Sequence, residues 1–296
     1  MKVKKHLITL LTATLVSTNT MPIFAAKKDV WKSKSEINVI SREDGSGTRG
    51  AFIELIGIEQ KNARGQKVDM TTEEASITNN TSVMITNVNT DKYAIGYISL
   101  GALNDSVKAV NIEKIPPTVQ NVKNGTYKLS RPFNIAIGKN NNIVTQDFIN
   151  FIMSEEGQKI IENNNYIPVT ANQSFISQMP AGKIVIAGSS SVSPLMEKLK
   201  EAYQQINVNV QIDIQTNDSS TGIASAAQGI CDIAMASRNL KDSETAKGLS
   251  SLTIALDGIT VIINNANPIT NLNIEDVRKI YTGEILHWKD LENETK

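Results

Sequence analysis

The stretch Ser41-Arg42-Glu43-Asp44-Gly45-Ser46-Gly47-Thr48-Arg49-Gly50 lies between the apolar run Ile37-Asn38-Val39-Ile40 and a helical pattern over residues 51–56. It reads as a strand, a tight glycine-rich turn and a helix start, where unpaired backbone N–H groups, hydroxyls and an arginine converge. The helix dipole places partial positive charge at the same point, so the stretch suits an anion. Two further helix starts share this character: Gly188-Ser189-Ser190-Ser191 after an apolar strand over 183–187, and Ser219-Ser220-Thr221-Gly222 after strict alternation over 208–214. Any one of these taken alone is better read as an ordinary N-cap, since Ser and Thr are preferred there. Three together with one arginine point to an oxyanion, with Arg42 supplying paired donors and Asp44 placed to hold its guanidinium.

The rest of the chain alternates in the same way. Short apolar runs over 93–98, 107–112, 129–137 and 232–236 predict strands, the run over 129–137 being broken at Pro132. Helical periodicity predicts helices over 82–88, 146–161 and 274–281. Such alternation argues for an α/β fold with largely parallel sheets, whose ligands bind at the carboxyl ends of strands. A polar stretch over 170–182, with Pro180 and Gly182, reads as a linker after which the chain begins again.

Composition narrows the function. Lys2, Lys4 and Lys5 precede an apolar run over 7–16 and a small-residue stop at Ala25-Ala26, the pattern of a secretory signal peptide over residues 1–26. Without that segment, 27 basic side chains would face 30 acidic ones, a balance with no footprint for nucleic acid or anionic lipid. No later segment reaches the roughly 18 consecutive apolar residues of a membrane span. Cys231 is the one cysteine, which excludes an internal disulfide, and its apolar surroundings predict an inert thiol. No cysteine near residue 26 could carry a lipid anchor. His287 is the one histidine outside the leader, so Ser/His/Asp chemistry and a zinc cluster lack partners, and a P-loop pattern is absent.

The segments Ala187-Gly188-Ser189-Ser190-Ser191-Val192-Ser193-Pro194-Leu195, Asp218-Ser219-Ser220-Thr221-Gly222-Ile223, Ile280-Tyr281-Thr282-Gly283-Glu284-Ile285 and Arg42-Glu43-Asp44-Gly45-Ser46-Gly47-Thr48 resemble the phosphate-binding proteins of high-affinity phosphate ABC transporters. So do Ala94-Ile95-Gly96-Tyr97-Ile98-Ser99-Leu100-Gly101 and Arg131-Pro132-Phe133. The order departs from that family, in which the Gly-Ser-Ser-Ser half precedes the Asp-Gly-Ser-Gly-Thr half. The resemblance therefore implies a circularly permuted, two-lobed periplasmic-binding-protein-like clamp of type II, with its ends close together. One lobe would combine residues 27–130 with 257–296, the other would be 131–256, and the crossings near 129–133 and 254–258 would form the hinge. By the same resemblance the phosphate contacts are Ser190, Ser191, Ser219, Ser237, Arg42, Ser46, Gly47 and Thr48, supported by Asp44, Ser189 and Gly188. Ser237 stands where some members carry an aspartate that accepts a proton from phosphate, which leaves selectivity against sulfate open. The implied protein is an exported monomer, periplasmic or at the cell surface, that captures inorganic phosphate for an ABC permease and needs no cofactor or metal. A binding protein for another tetrahedral oxyanion and a secreted phosphoesterase are the alternatives.

Overall fold

The computed structural model describes residues 31–138, 142–171 and 173–291; the leader over 1–26 lies outside the described residues. A mixed sheet runs in the order Val210–Asn217, Gly182–Ser189, Ile233–Ala236, Ser130–Ile137, Ser250–Ile263, Ala94–Ser99, Asn38–Arg42, Ser76–Thr78. Parallel pairing holds among the first three strands and again among the last three. Two antiparallel strands, Ser130–Ile137 and Ser250–Ile263, join these groups. The 14-residue strand Ser250–Ile263 gives its first part to Ser130–Ile137 and its last part, from Ile259, to Ala94–Ser99.

Apolar side chains divide along the same line. One core gathers Phe52, Ile95, Tyr97, Leu129, Ile259, Ile280 and Trp288, and another gathers Phe133, Phe148, Ile184, Leu195, Tyr203 and Ala255. The divide falls between Leu129 and Phe133 and between Ala255 and Ile259. Ile167 is an exception, since it packs in the first core while its neighbour Tyr166 packs in the second.

Two local expectations change. Residues 146–161 are not one helix but two, Ile143–Ile152 and Glu155–Asn163, because Ser154 caps the second by accepting from the Gly157 N–H. A Cβ on Gly157 would come 2.1 Å from the Phe151 carbonyl oxygen, so only glycine permits this close turn between the helices. Pro132 does not break its strand: it pairs opposite Leu256, and on its other side the ladder to Ile233–Ala236 covers only residues 134–137 of this strand. The polar stretch over 59–80 holds the hairpin Glu59–Lys61 and Lys67–Asp69 and the edge strand Ser76–Thr78.

The two ends of the described chain meet, as the resemblance led one to expect. Glu36 bridges His287, the Ile37 N–H donates to the Leu286 carbonyl at 2.8 Å, and the Lys289 N–H donates to the Ser33 carbonyl at 2.8 Å. Trp31 lies edge-on against buried Trp288, with ring centroids 5.7 Å apart.

Candidate functional site

Each serine-rich turn leaves the carboxyl end of a parallel strand and opens a helix, and side-chain contacts bring the turns of both parallel groups together. Asn38–Arg42 leads to the helix Gly47–Ile56, Gly182–Ser189 to Ser193–Ile206, and Val210–Asn217 to Ser219–Ala227. Ile233–Ala236 ends at Ser237, and a fourth helix, Thr81–Thr90, starts beside them with Asn80 as its cap.

The result is a buried cluster of hydroxyls around one guanidinium. Arg42 is 2% exposed and its Nη2 donates to Ser190 Oγ at 3.1 Å. Thr48 Oγ1 and Ser191 Oγ are 2.7 Å apart. Ser189 donates to Ser237 Oγ at 2.9 Å, and the Ser237 N–H donates to Ser219 Oγ at 3.1 Å. Gly47 closes the ring: a Cβ there would lie 2.4 Å from Ser219 Oγ and 2.7 Å from Ser237 Oγ. Ser46 is buried and caps its helix by accepting from the Arg49 N–H. Gly188 shapes the site from behind, since its φ of 132° and its contact with the Met235 carbonyl admit no side chain. The two halves also touch through their backbones, where the Ser220 N–H donates to the Gly45 carbonyl at 3.2 Å.

Asp44 does not hold Arg42. Its side chain is 97% exposed and pairs with Arg49 at 3.0 Å. Glu43 takes the role instead, accepting from Arg42 Nε and Nη2 at 2.7 Å each. The longer carboxylate next in sequence reaches back along the guanidinium edge, while Asp44 turns outward on the far side of the bend. Arg49 in turn donates to the Arg42 carbonyl at 2.7 Å and to Asp69 at 2.8 Å. Burial opposes ionisation of Asp69, but hydrogen bonds from Thr71 and Arg49 outweigh it and hold the carboxyl below its usual value.

Residues that the sequence reading missed complete the site. Thr81 is buried, with Oγ1 3.4 Å from both Ser190 and Ser191. Its signal was present as the helix start Asn79-Asn80-Thr81, but nothing in the sequence aims that start at the other three. Tyr97 stacks on Phe52 at 3.9 Å, and its hydroxyl accepts from the Arg42 N–H and meets Ser41. Burial raises the Tyr97 phenol, keeping it neutral as it fixes the Arg42 backbone. Arg238 is held by Glu244 through two contacts of 2.8 Å and donates to Ser220 Oγ at 3.0 Å.

Chemically this is a pocket of donors. Every hydroxyl in it meets another hydroxyl, a backbone N–H or Arg42, and none meets a histidine or a carboxylate that could activate it. His287 lies elsewhere, with Nδ1 3.7 Å from Asp290. Cys231 is buried and burial pushes its thiol up to about 11, so it stays protonated at neutral pH. A groove of about 710 Å³ beside Ile37, Val39, Ile280 and Leu286 is lined by Glu36, Glu74 and Asp91, charges that repel an anion.

A family model described as a PBP superfamily domain matches residues 13–156 and 174–296. The phosphate-binding protein PstS 2 of Streptococcus agalactiae is 52% identical over 261 residues, 88% of this chain and 89% of the relative. That of Streptococcus pneumoniae is 44% identical over 253 residues, 85% of this chain and 86% of the relative. The crystal structure of a phosphate-binding protein of a phosphate ABC transporter from Streptococcus pneumoniae superposes with a TM-score of 0.68 at 42% identity, covering 87% of this chain and 100% of that one. An alignment spanning 88% of the chain must include both Arg42–Thr48 and Ser189–Ser191, so the relative carries the two halves in the same order. With these similarities set beside the buried arginine–hydroxyl cluster, the chain belongs to the phosphate-binding-protein family of the PBP superfamily.

Proposed function

We propose that this protein is an exported, monomeric solute-binding protein that captures inorganic phosphate and delivers it to an ABC permease without catalysis. The observation that carries this is the convergence of one buried arginine with hydroxyls from four helix starts, drawn from both apolar cores. Fixed N–H and O–H donors plus one guanidinium match a tetrahedral oxyanion and lower the cost of desolvating it. The two cores are the two lobes of a clamp, residues 27–130 with 257–296 against residues 131–256, and the crossing strands Ser130–Ile137 and Ser250–Ile263 are its hinge. Names of the relatives support phosphate as the ligand.

Calorimetric titration with inorganic phosphate at neutral pH is expected to give saturable binding at one site. Arg42→Ala is expected to lose at least about 2 kcal/mol of that affinity, the scale of a desolvated charge contact. A folded wild-type protein that gives no heat with phosphate would sink the proposal.

Sulfate is the second reading, favoured by one observation. The carboxylate at the cluster, Glu43, is tied to Arg42, and Ser237 contributes a hydroxyl. A like-charge penalty against fully deprotonated sulfate is therefore weak, and sulfate is expected to compete measurably with phosphate. Sulfate binding tighter than phosphate would reassign the ligand.

A further inference from the structure

Ser237 carries a hydroxyl of the anion cluster, yet its strand ladder ends one residue earlier, at Ala236 opposite Asn134. Beyond that point the backbone is held by side chains. Arg131 Nη1 donates to the Ser237 carbonyl at 3.3 Å, and Asn134 Nδ2 donates to the Arg238 carbonyl at 3.0 Å. Both come from the crossing strand Ser130–Ile137. Arg131 is itself held by Asp257, its direct partner in the antiparallel register, with Nη2 to Oδ2 at 3.1 Å. Both side chains are 1% exposed. The other carboxylate oxygen of Asp257 accepts from Ser99 at 2.9 Å, at the end of a strand belonging to the first core. The pair thus lies where both crossing strands pass between the cores, with one hand on Ser99 and the other on the Ser237 loop.

We propose that Arg131, oriented by Asp257, is a positioning residue that fixes the Ser237 carbonyl and so places the Ser189–Ser219–Ser237 hydroxyl set for the anion. This rests on the phosphate-binding reading above. A buried ion pair is weak evidence for stability, because desolvating two charges offsets much of their attraction. Its geometric use here is specific. The guanidinium fork reaches Asp257 with one edge and the Ser237 carbonyl with the remaining nitrogen, which a lysine ammonium lacks the planar geometry to reproduce.

Two variants test it by calorimetry with inorganic phosphate, each alongside a thermal melt. Arg131→Lys keeps the charge opposite Asp257 and is expected to melt within a few degrees of wild type, while its phosphate Kd rises at least tenfold. Should Arg131→Lys fail to fold, the double variant Arg131→Met with Asp257→Leu removes both charges and leaves no orphan ion, and its Kd is expected to rise by a similar factor. A folded variant of either kind that binds phosphate within twofold of wild type overturns the role given to Arg131. Wild-type protein that does not bind phosphate overturns the functional reading instead, so the two failures are separable.

Discussion

At the scale of single residues, the site depends on which carboxylate holds Arg42. Two charge-assisted bonds to a buried guanidinium are worth far more than an ion pair in water, and Glu43 makes the former while Asp44 makes the latter. Glu43→Ala is therefore expected to weaken phosphate binding by about 1.5–3 kcal/mol, and Asp44→Ala by less than about 0.5 kcal/mol. Titrating both variants decides between them, and the reverse order of effects would return the orienting role to Asp44. Arg42, Thr48, Ser190, Ser191 and Ser219 stand in polar turns between a strand and a helix, a pattern visible in the sequence, whereas Ser237 was named only through the family resemblance. Thr81 and Glu43 were not legible, because neighbours in sequence do not reveal which way a side chain turns.

At the scale of elements, acid stability reads out the carboxylates that pin the site's loops. Burial opposes ionisation of Glu244, but hydrogen bonding and charge from Arg238 and the Lys241 N–H hold it below its usual 4.5. Asp69 lies below its usual 3.8 for parallel reasons. A lowered native pKa means the unfolded chain binds more protons, so this stability is present above the usual values and lost as pH falls through the lowered ones. Asp257 acts in the opposite sense, since burial raises its pKa despite Arg131, and ionising it takes away stability as pH rises past 3.8. Urea midpoints are expected to fall between pH 5 and pH 2, and to fall less steeply in Asp69→Asn and Glu244→Gln. Equal slopes in the variants and wild type would show that these pairs do not anchor the loops.

At the scale of the whole molecule, the two ends of the described chain lie against each other. Residues 33–37 and 286–289 already meet by backbone hydrogen bonds, so a short linker from residue 291 to residue 31 spans little distance. The segment over 173–182 is anchored rather than slack: Phe175 packs on Phe151 and Tyr203, and Ser177 donates to Asp147 at 2.7 Å. A rearranged chain joined at 291 to 31 and opened between half-buried Pro180 and exposed Ala181, with the anchored segment kept as a tail, is expected to fold. Its phosphate affinity is expected within about threefold of the parent, since no site residue moves, a change of under about 1 kcal/mol. A rearranged chain that folds but loses phosphate binding would show that the present order itself shapes the site.

By itself the sequence determined the alternation of strands and helices and the polar, glycine-containing character of three helix starts. These are local or periodic properties: apolar spacing, capping hydroxyls and glycines at turns. Only the tertiary structure decided that Thr81 joins the cluster, that Glu43 rather than Asp44 holds Arg42, and that Arg131 grips the Ser237 loop from the strand opposite. Each is a contact between side chains or backbone groups whose meeting depends on rotamer and strand register. The burial that makes a few hydroxyls and one guanidinium a binding site exists only once both cores have formed around them.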